Sequence, residues 1–104
     1  MSEFVAVCEA DRLSDGERLS LDLDGRAVLL FRIGSEHYAV DDLCSHDGQP
    51  LTDGPLQDFS IECPRHGARF DVRTGRPQCM PAVEPIPVHE VKVDAGQIWI
   101  AIND

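Results

Sequence analysis

No apolar run in this 104-residue chain approaches the roughly 20 residues that a membrane-crossing helix requires, so a helical membrane protein is excluded. Basic residues are scarce. Nine Lys and Arg stand against 19 Asp and Glu, for a formal net charge of −10. Nucleic acid and anionic membrane both call for basic patches, so neither is expected as a partner. The acidic balance serves solubility first and steering toward a basic partner second. The opening Met-Ser-Glu-Phe-Val has no basic segment leading into an apolar one, so no secretory signal is visible and a cytoplasmic location is expected. Also missing are internal repeats, linkers, low-complexity tracts and any helical stripe longer than two turns. At this length the expectation is one domain over residues 1–104.

What the chain does contain is a series of short β-type runs between turn signals. Phe4–Cys8 opens, followed by a polar turn region over Asp11–Gly16. Arg18–Asp24 alternates strictly, with Leu19, Leu21 and Leu23 on one face and Ser20, Asp22 and Asp24 on the other. Asp24-Gly25 predicts a tight hairpin into Ala27–Ile33, and Gly34-Ser35 turns the chain again into Glu36–Val40. Gln49–Phe59 shows no periodicity and reads as an ordered loop with at most a short turn. Ser60–Cys63 and Ala68–Val72 predict a hairpin with Pro64–Gly67 at its tip, and Arg73–Arg76 a further turn. Prolines at 77, 81, 85 and 87 rule out helix and disfavour a central strand over Pro77–Pro87. Val88–Val93, a turn at Asp94–Gly96 and Gln97–Ile102 close the chain. Together these predict an all-β antiparallel domain presenting two loops at one end.

Cysteine is sparse, and its placement matters more than its number. Of the four cysteines, two sit in short clips with histidine: Cys44-Ser-His46 and Cys63-Pro-Arg-His66, with sixteen residues between them. A disulfide framework suits small secreted proteins, not cysteines at metal-ligand spacing from histidines. Each clip runs directly into Asp47-Gly48 or Gly67, where glycine lets the backbone fold back around a bound ion. A soft thiolate with a borderline imidazole selects zinc or iron over calcium or magnesium. Two cysteines and two histidines make a sound tetrahedral zinc site. A zinc finger, however, groups its cysteines together and its histidines together, whereas each clip here mixes the two. Mixed clips suit a binuclear centre in which the cysteines take one iron and the histidines the other.

The two clips extend into longer boxes that resemble those of the Rieske proteins. Cys44-Ser-His46-Asp-Gly48-Gln-Pro-Leu51-Thr-Asp-Gly54 is similar to the first box, C-x-H-x-G-x-x-L-x-x-G. Cys63-Pro64-Arg-His66-Gly67-Ala-Arg-Phe70-Asp71-Val-Arg-Thr74-Gly75 is similar to the second, C-P-x-H-G-x-x-F-D-x-x-T-G. Two boxes in order are specific, where a lone C-x-H is not. The resemblance implies an all-β, antiparallel Rieske-type sandwich or barrel with a two-loop cluster-binding subdomain. It places cluster-binding loops at about 43–50 and 62–68 and a covering proline loop at about 77–87. It implies one [2Fe–2S] cluster per chain, with Cys44 and Cys63 on the buried iron and His46 and His66 on the outer one.

Within the family, the high-potential respiratory members carry an additional cysteine in each box, joined as a disulfide; here those positions are Gln49 and Arg65. Those members also carry a serine and a tyrosine whose hydroxyls reach the cluster region; here the positions are Ala68 and Phe70. Donors to the cluster sulfurs favour the reduced state, so the expectation is a potential toward the low end of the Rieske span, about −150 mV. The resemblance is thus to the ferredoxin component of bacterial aromatic-ring-hydroxylating dioxygenase systems. It implies a non-enzymatic, monomeric one-electron carrier from an NAD(P)H-dependent flavoprotein reductase to a terminal non-haem iron oxygenase. No mononuclear-iron domain of the oxygenase kind is expected within residues 1–104. The tip carrying His46 and His66 beside Gln49, Pro50, Met80 and Pro81 is the expected docking surface.

Other readings stay open: a small Rieske-like subunit of a nitrite reductase, a Rieske carrier tied to iron–sulfur assembly, and a zinc-stabilised interaction module. Cys8 reads as a buried inert thiol and Cys79 as a bystander near the cluster. His37 and His89 read as surface or satisfied core residues, Trp99 and the Ile98, Ile100 and Ile102 row as packing, and the acidic stretch Asp11–Asp24 as a solvated face.

Overall fold

A computed structural model describes residues 3–45, 48–65, 67–79 and 84–103. The described residues form ten strands and no helix: β1 Val5–Glu9, β2 Arg18–Leu23, β3 Arg26–Ile33, β4 Glu36–Asp41, β5 Leu56–Gln57, β6 Ser60–Glu62, β7 Arg69–Asp71, β8 Pro77–Cys79, β9 Val88–Asp94 and β10 Gln97–Ala101. They pair antiparallel in a six-stranded sheet of order β1-β10-β9-β4-β3-β2 and a four-stranded sheet of order β5-β6-β7-β8.

The meander β2-β3-β4 follows from its turns. Leu23 pairs with Arg26 across a two-residue turn in which Asp24 and Gly25 both take positive φ, 58° and 85°. That mirror-image turn matches the right-handed strand twist, as the Asp-Gly dipeptide predicts. At the other end of the chain, Asp94 pairs with Gln97 across Ala95 and Gly96, again both at positive φ. The acidic side chains before β3 are exposed and partly spent on turns: Asp22 accepts from the Gly25 N–H (2.8 Å) and Asp15 from the Gly34 N–H (2.6 Å).

β3 is buried on both faces, which explains its unbroken apolar run. Val28 and Leu30 join Leu13, Ala39, Ile98 and Ile100 in one core, against which Val7, Cys8, Leu19, Leu21, Leu23 and Val91 pack. Contributions from all six strands to one cluster mean that the sheet curls around it. Leu29 and Phe31 point the other way and share a second core with Val40, Cys44, Leu51, Ile61, Cys63, Ala68, Phe70, Val72 and Ile86. Each fully buried Leu, Ile or Phe side chain contributes about 1.5–3 kcal/mol. The second core therefore fastens the four-stranded sheet, and the two cysteine loops with it, onto the back of the curled sheet.

Two expectations need correction. The span Gln49–Phe59 is more than a loop, because Leu56–Gln57 forms β5 and Gln57 pairs with Ser60 around Asp58 and Phe59. The turn depends on Asp58 adopting φ of 54°, a left-handed conformation without the glycine that ordinarily signals it. His37 is half-buried and not satisfied: its Nε2 is buried and has no hydrogen-bond partner among the described residues. Burial, and then the Arg32 guanidinium, hold its pKa below the usual histidine value. His89 does behave as a satisfied core histidine, its Nε2 lying 2.7 Å from Asp41 Oδ1 while its Nδ1 accepts from the Asn103 N–H at 3.1 Å. Pro77 opens β8, an edge strand, which is where a strand tolerates proline.

Candidate metal centre

Cys44 follows β4 and Cys63 follows β6, and both side chains are completely buried in the core between the sheets. The two cysteines share one backbone hydrogen-bond pattern. Cys44 N–H donates to Gln49 O at 2.8 Å and Gly48 N–H returns to Cys44 O at 2.8 Å. Cys63 N–H donates to Ala68 O at 2.7 Å and Gly67 N–H returns to Cys63 O at 3.0 Å. The offsets are the same in both: the cysteine bonds forward five residues and receives a bond from four residues on. Gly48 and Gly67 each adopt φ of 74°, which a residue with a Cβ takes only with strain. The clips thus differ in where histidine falls yet share one hydrogen-bond pattern, with glycine at the same distance from the cysteine.

None of the four cysteines is in a disulfide. A thiolate bared in an apolar core is costly, and a bound cation supplies the missing compensation. Two buried cysteines on matched loops therefore fit the inner half of a binuclear iron–sulfur site. His46 and His66, the other two expected ligands, lie outside the described residues, as do Asp47, Met80 and Pro81. Among the described residues no further group of three or more His, Cys, Asp or Glu gathers as a metal site.

The neighbours of the cysteines bear on the chemistry. Ala68 and Phe70 are both fully buried in the same core, so these two positions offer it methyl and phenyl groups and no hydroxyl. Gln49 supplies its carbonyl to the first loop, and Arg65 is exposed at the tip of the second. Cys79 is exposed on β8 and its Sγ donates to Gly67 O at 3.4 Å, which puts it beside the second loop as a neighbour. Cys8 is only partly buried, packed against the curled sheet's core, and burial raises its thiol pKa. Ser45 Oγ donates to Glu84 O at 2.6 Å, tying the first loop to the chain just before β9.

Three residues near the site escape a reading of local pattern. Leu43, immediately before Cys44, is 45% exposed and adds an apolar side chain to the loop end. Asp42 is buried, and accepts from the Leu51 N–H (2.7 Å) and the Thr52 hydroxyl. Arg18 on β2 donates to the carbonyls of both Thr52 (2.9 Å) and Gly54. Asp42 and Leu43 lie within two residues of Cys44 but in no motif that marks them, and Arg18, 34 residues from Thr52, has no local signal at all.

The chain matches the model of the Rieske [2Fe-2S] domain over residues 3–91 and belongs to that family. It is 36% identical over 101 residues to the 3-phenylpropionate/cinnamic acid dioxygenase ferredoxin subunit of Escherichia coli K12, covering 96% of this chain and 94% of that protein. It is also similar to the ferredoxin of carbazole 1,9a-dioxygenase from Nocardioides aromaticivorans IC177, with 39% identity, a TM-score of 0.91 and coverage of 98% and 100% of the two chains. A chain in the complex of reduced oxygenase and oxidised ferredoxin of carbazole 1,9a-dioxygenase superposes with a TM-score of 0.89 at 34% identity, covering 94% of this chain and 92% of that one.

Proposed function

We propose that this protein is a low-potential one-electron carrier, a Rieske ferredoxin that passes electrons from an NAD(P)H-dependent flavoprotein reductase to a terminal non-haem iron oxygenase. The observation that carries the proposal is the pair of matched loops holding Cys44 and Cys63, fully buried, in one core with Ala68 and Phe70. Cys44 and Cys63 would hold the inner iron of a [2Fe–2S] cluster, and His46 and His66 the outer one. Bound there, the cluster takes up and returns a single electron. The apolar wall formed by Leu29, Phe31, Leu51 and Phe70 keeps water from the cysteine side. The missing hydroxyls at 68 and 70 leave the reduced state without two donors, which favours a low potential.

Ferredoxin relatives of dioxygenase systems, and a ferredoxin in complex with its oxygenase, support the same role for this chain. Docking falls to the loop end, where Leu43, Pro50 and Pro64 are exposed and apolar. Such a rim suits brief contacts, while the net charge of −10 steers a partner with a basic face. We take residues 1–104 as a single Rieske domain, acting as a cytoplasmic monomer. The test is direct: the red-brown purified protein should be reduced by a ferredoxin reductase with NAD(P)H and reoxidised by a terminal oxygenase. A colourless, zinc-bearing protein that accepts no electron would overturn the proposal in favour of an interaction module.

A further inference from the structure

Residues 51–54 leave the first cysteine loop and are gripped from the curled sheet by two side chains of opposite charge. From one side, Asp42 at the end of β4 takes the donors of the segment. One oxygen accepts from the Leu51 N–H at 2.7 Å and the other from the Thr52 hydroxyl. From the other, Arg18 on β2 takes the acceptors, giving one guanidinium nitrogen to Thr52 O (2.9 Å) and Gly54 O. The same guanidinium lies over the Phe31 ring, 5.5 Å from its centroid, and Phe31 belongs to the core that holds both cysteines. The far side of the segment is closed by β6. A Cβ on Gly54 would stand 1.7 Å from Glu62 O, and Glu62 N–H donates to Pro55 O at 3.0 Å. Leu51, whose amide Asp42 holds, is fully buried in the core cluster that contains Cys44 and Cys63.

We infer that Arg18 and Asp42 are positioning residues for the cluster: together they seat segment 51–54, and through Leu51 they set how the two cysteine loops stand relative to each other. The inference rests on the ligand reading above. Asp42 acts through the Leu51 amide and the Thr52 hydroxyl and Arg18 through two carbonyls, so both bear on the cluster as outer-shell partners that orient its ligands.

The test uses the full, cluster-loaded chain and the variants Arg18→Met, Arg18→Lys, Asp42→Asn and Thr52→Val. Each is measured by the electron-spin spectrum of the reduced protein, by midpoint potential and by thermal unfolding. Arg18→Met and Asp42→Asn should broaden or shift the spin spectrum and move the potential, Thr52→Val should do so to a lesser degree, and Arg18→Lys should recover most of the Arg18→Met change. Thr52→Val removes a single donor and reports on the same grip should Asp42→Asn fail to load. Variants that melt earlier while keeping the unsubstituted protein's spectrum and potential would overturn the inference, leaving Arg18 and Asp42 as stabilising contacts only. Absence of a Rieske spectrum from the unsubstituted protein would instead overturn the ligand reading, and needs no variant to be seen.

Discussion

Restoring the hydroxyls that positions 68 and 70 lack should raise the reduction potential. Ala68 and Phe70 are both fully buried in the core that contains Cys44 and Cys63, and Ala68 also supplies the carbonyl that holds the Cys63 N–H. Ala68→Ser adds one oxygen at that turn, and Phe70→Tyr adds one at the rim of the ring. Reduction puts an additional negative charge on the cluster, so a hydroxyl donor in reach of it is worth more in the reduced state. Hydrogen bonds to charged groups contribute about 1.5–3 kcal/mol. If about half of that is specific to the reduced state, about 1 kcal/mol per hydroxyl remains. A tenfold change, about 1.4 kcal/mol, is about 59 mV for one electron, so each substitution should raise the midpoint by about 40 mV. The double variant should approach twice that shift. The same hydroxyls without a partner would cost about 1–3 kcal/mol of stability, so melting temperatures separate a satisfied hydroxyl from an orphaned one. Voltammetry at fixed pH reads the shift. A loaded double variant whose potential stays level or falls would refute the idea that Ala68 and Phe70 keep this site low.

Two other predictions concern the frame around the site. Gly54→Ala drives a Cβ into the Glu62 carbonyl, a backbone atom that cannot swing aside. The loss should be about 2–3 kcal/mol or more, a fall of roughly 10 °C in Tm, and a melting curve within a degree of the parent would contradict the packing described. Asp71 is held below the usual carboxylate range, first by the hydrogen bond from the Arg73 side chain, then against an opposing rise from burial. Arg73 Nη2 lies 2.8 Å from Asp71 Oδ2, and its guanidinium stacks 4.0 Å from the Phe59 ring centroid. A carboxyl with a depressed folded pKa contributes stability above its unfolded pKa and loses it as pH falls through the folded one. Arg73→Met should therefore lower stability most at neutral pH, with the deficit shrinking as pH falls through the folded Asp71 pKa to what the lost stacking leaves, and a deficit that does not change with pH would contradict the pairing.

Much of the frame was legible because its signals are local. Alternation in β2, Asp24-Gly25 and the glycine that closes each cysteine clip are written within a few residues. The meander, the hairpin β6-β7 and the burial of both cysteines follow as expected. β5 was hidden because its turn relies on Asp58 in a left-handed conformation. Arg18 was hidden because its partners are 34 and 36 residues away, and nothing in an alternating strand distinguishes a solvated arginine from one that holds two carbonyls. His37 and His89 looked alike in sequence. Only packing made one a bonded partner of Asp41 and Asn103 and left the other with a buried, unpartnered nitrogen among the described residues.

The central claim is that cysteines at 44 and 63 and histidines at 46 and 66 hold one [2Fe–2S] cluster. Pulsed electron-spin resonance on the reduced protein, grown with 15N-histidine, tests it most directly. Couplings from two histidine nitrogens are expected, with one lost in His66→Cys. A spectrum with no histidine nitrogen coupling, or one unchanged in His66→Cys, would contradict it.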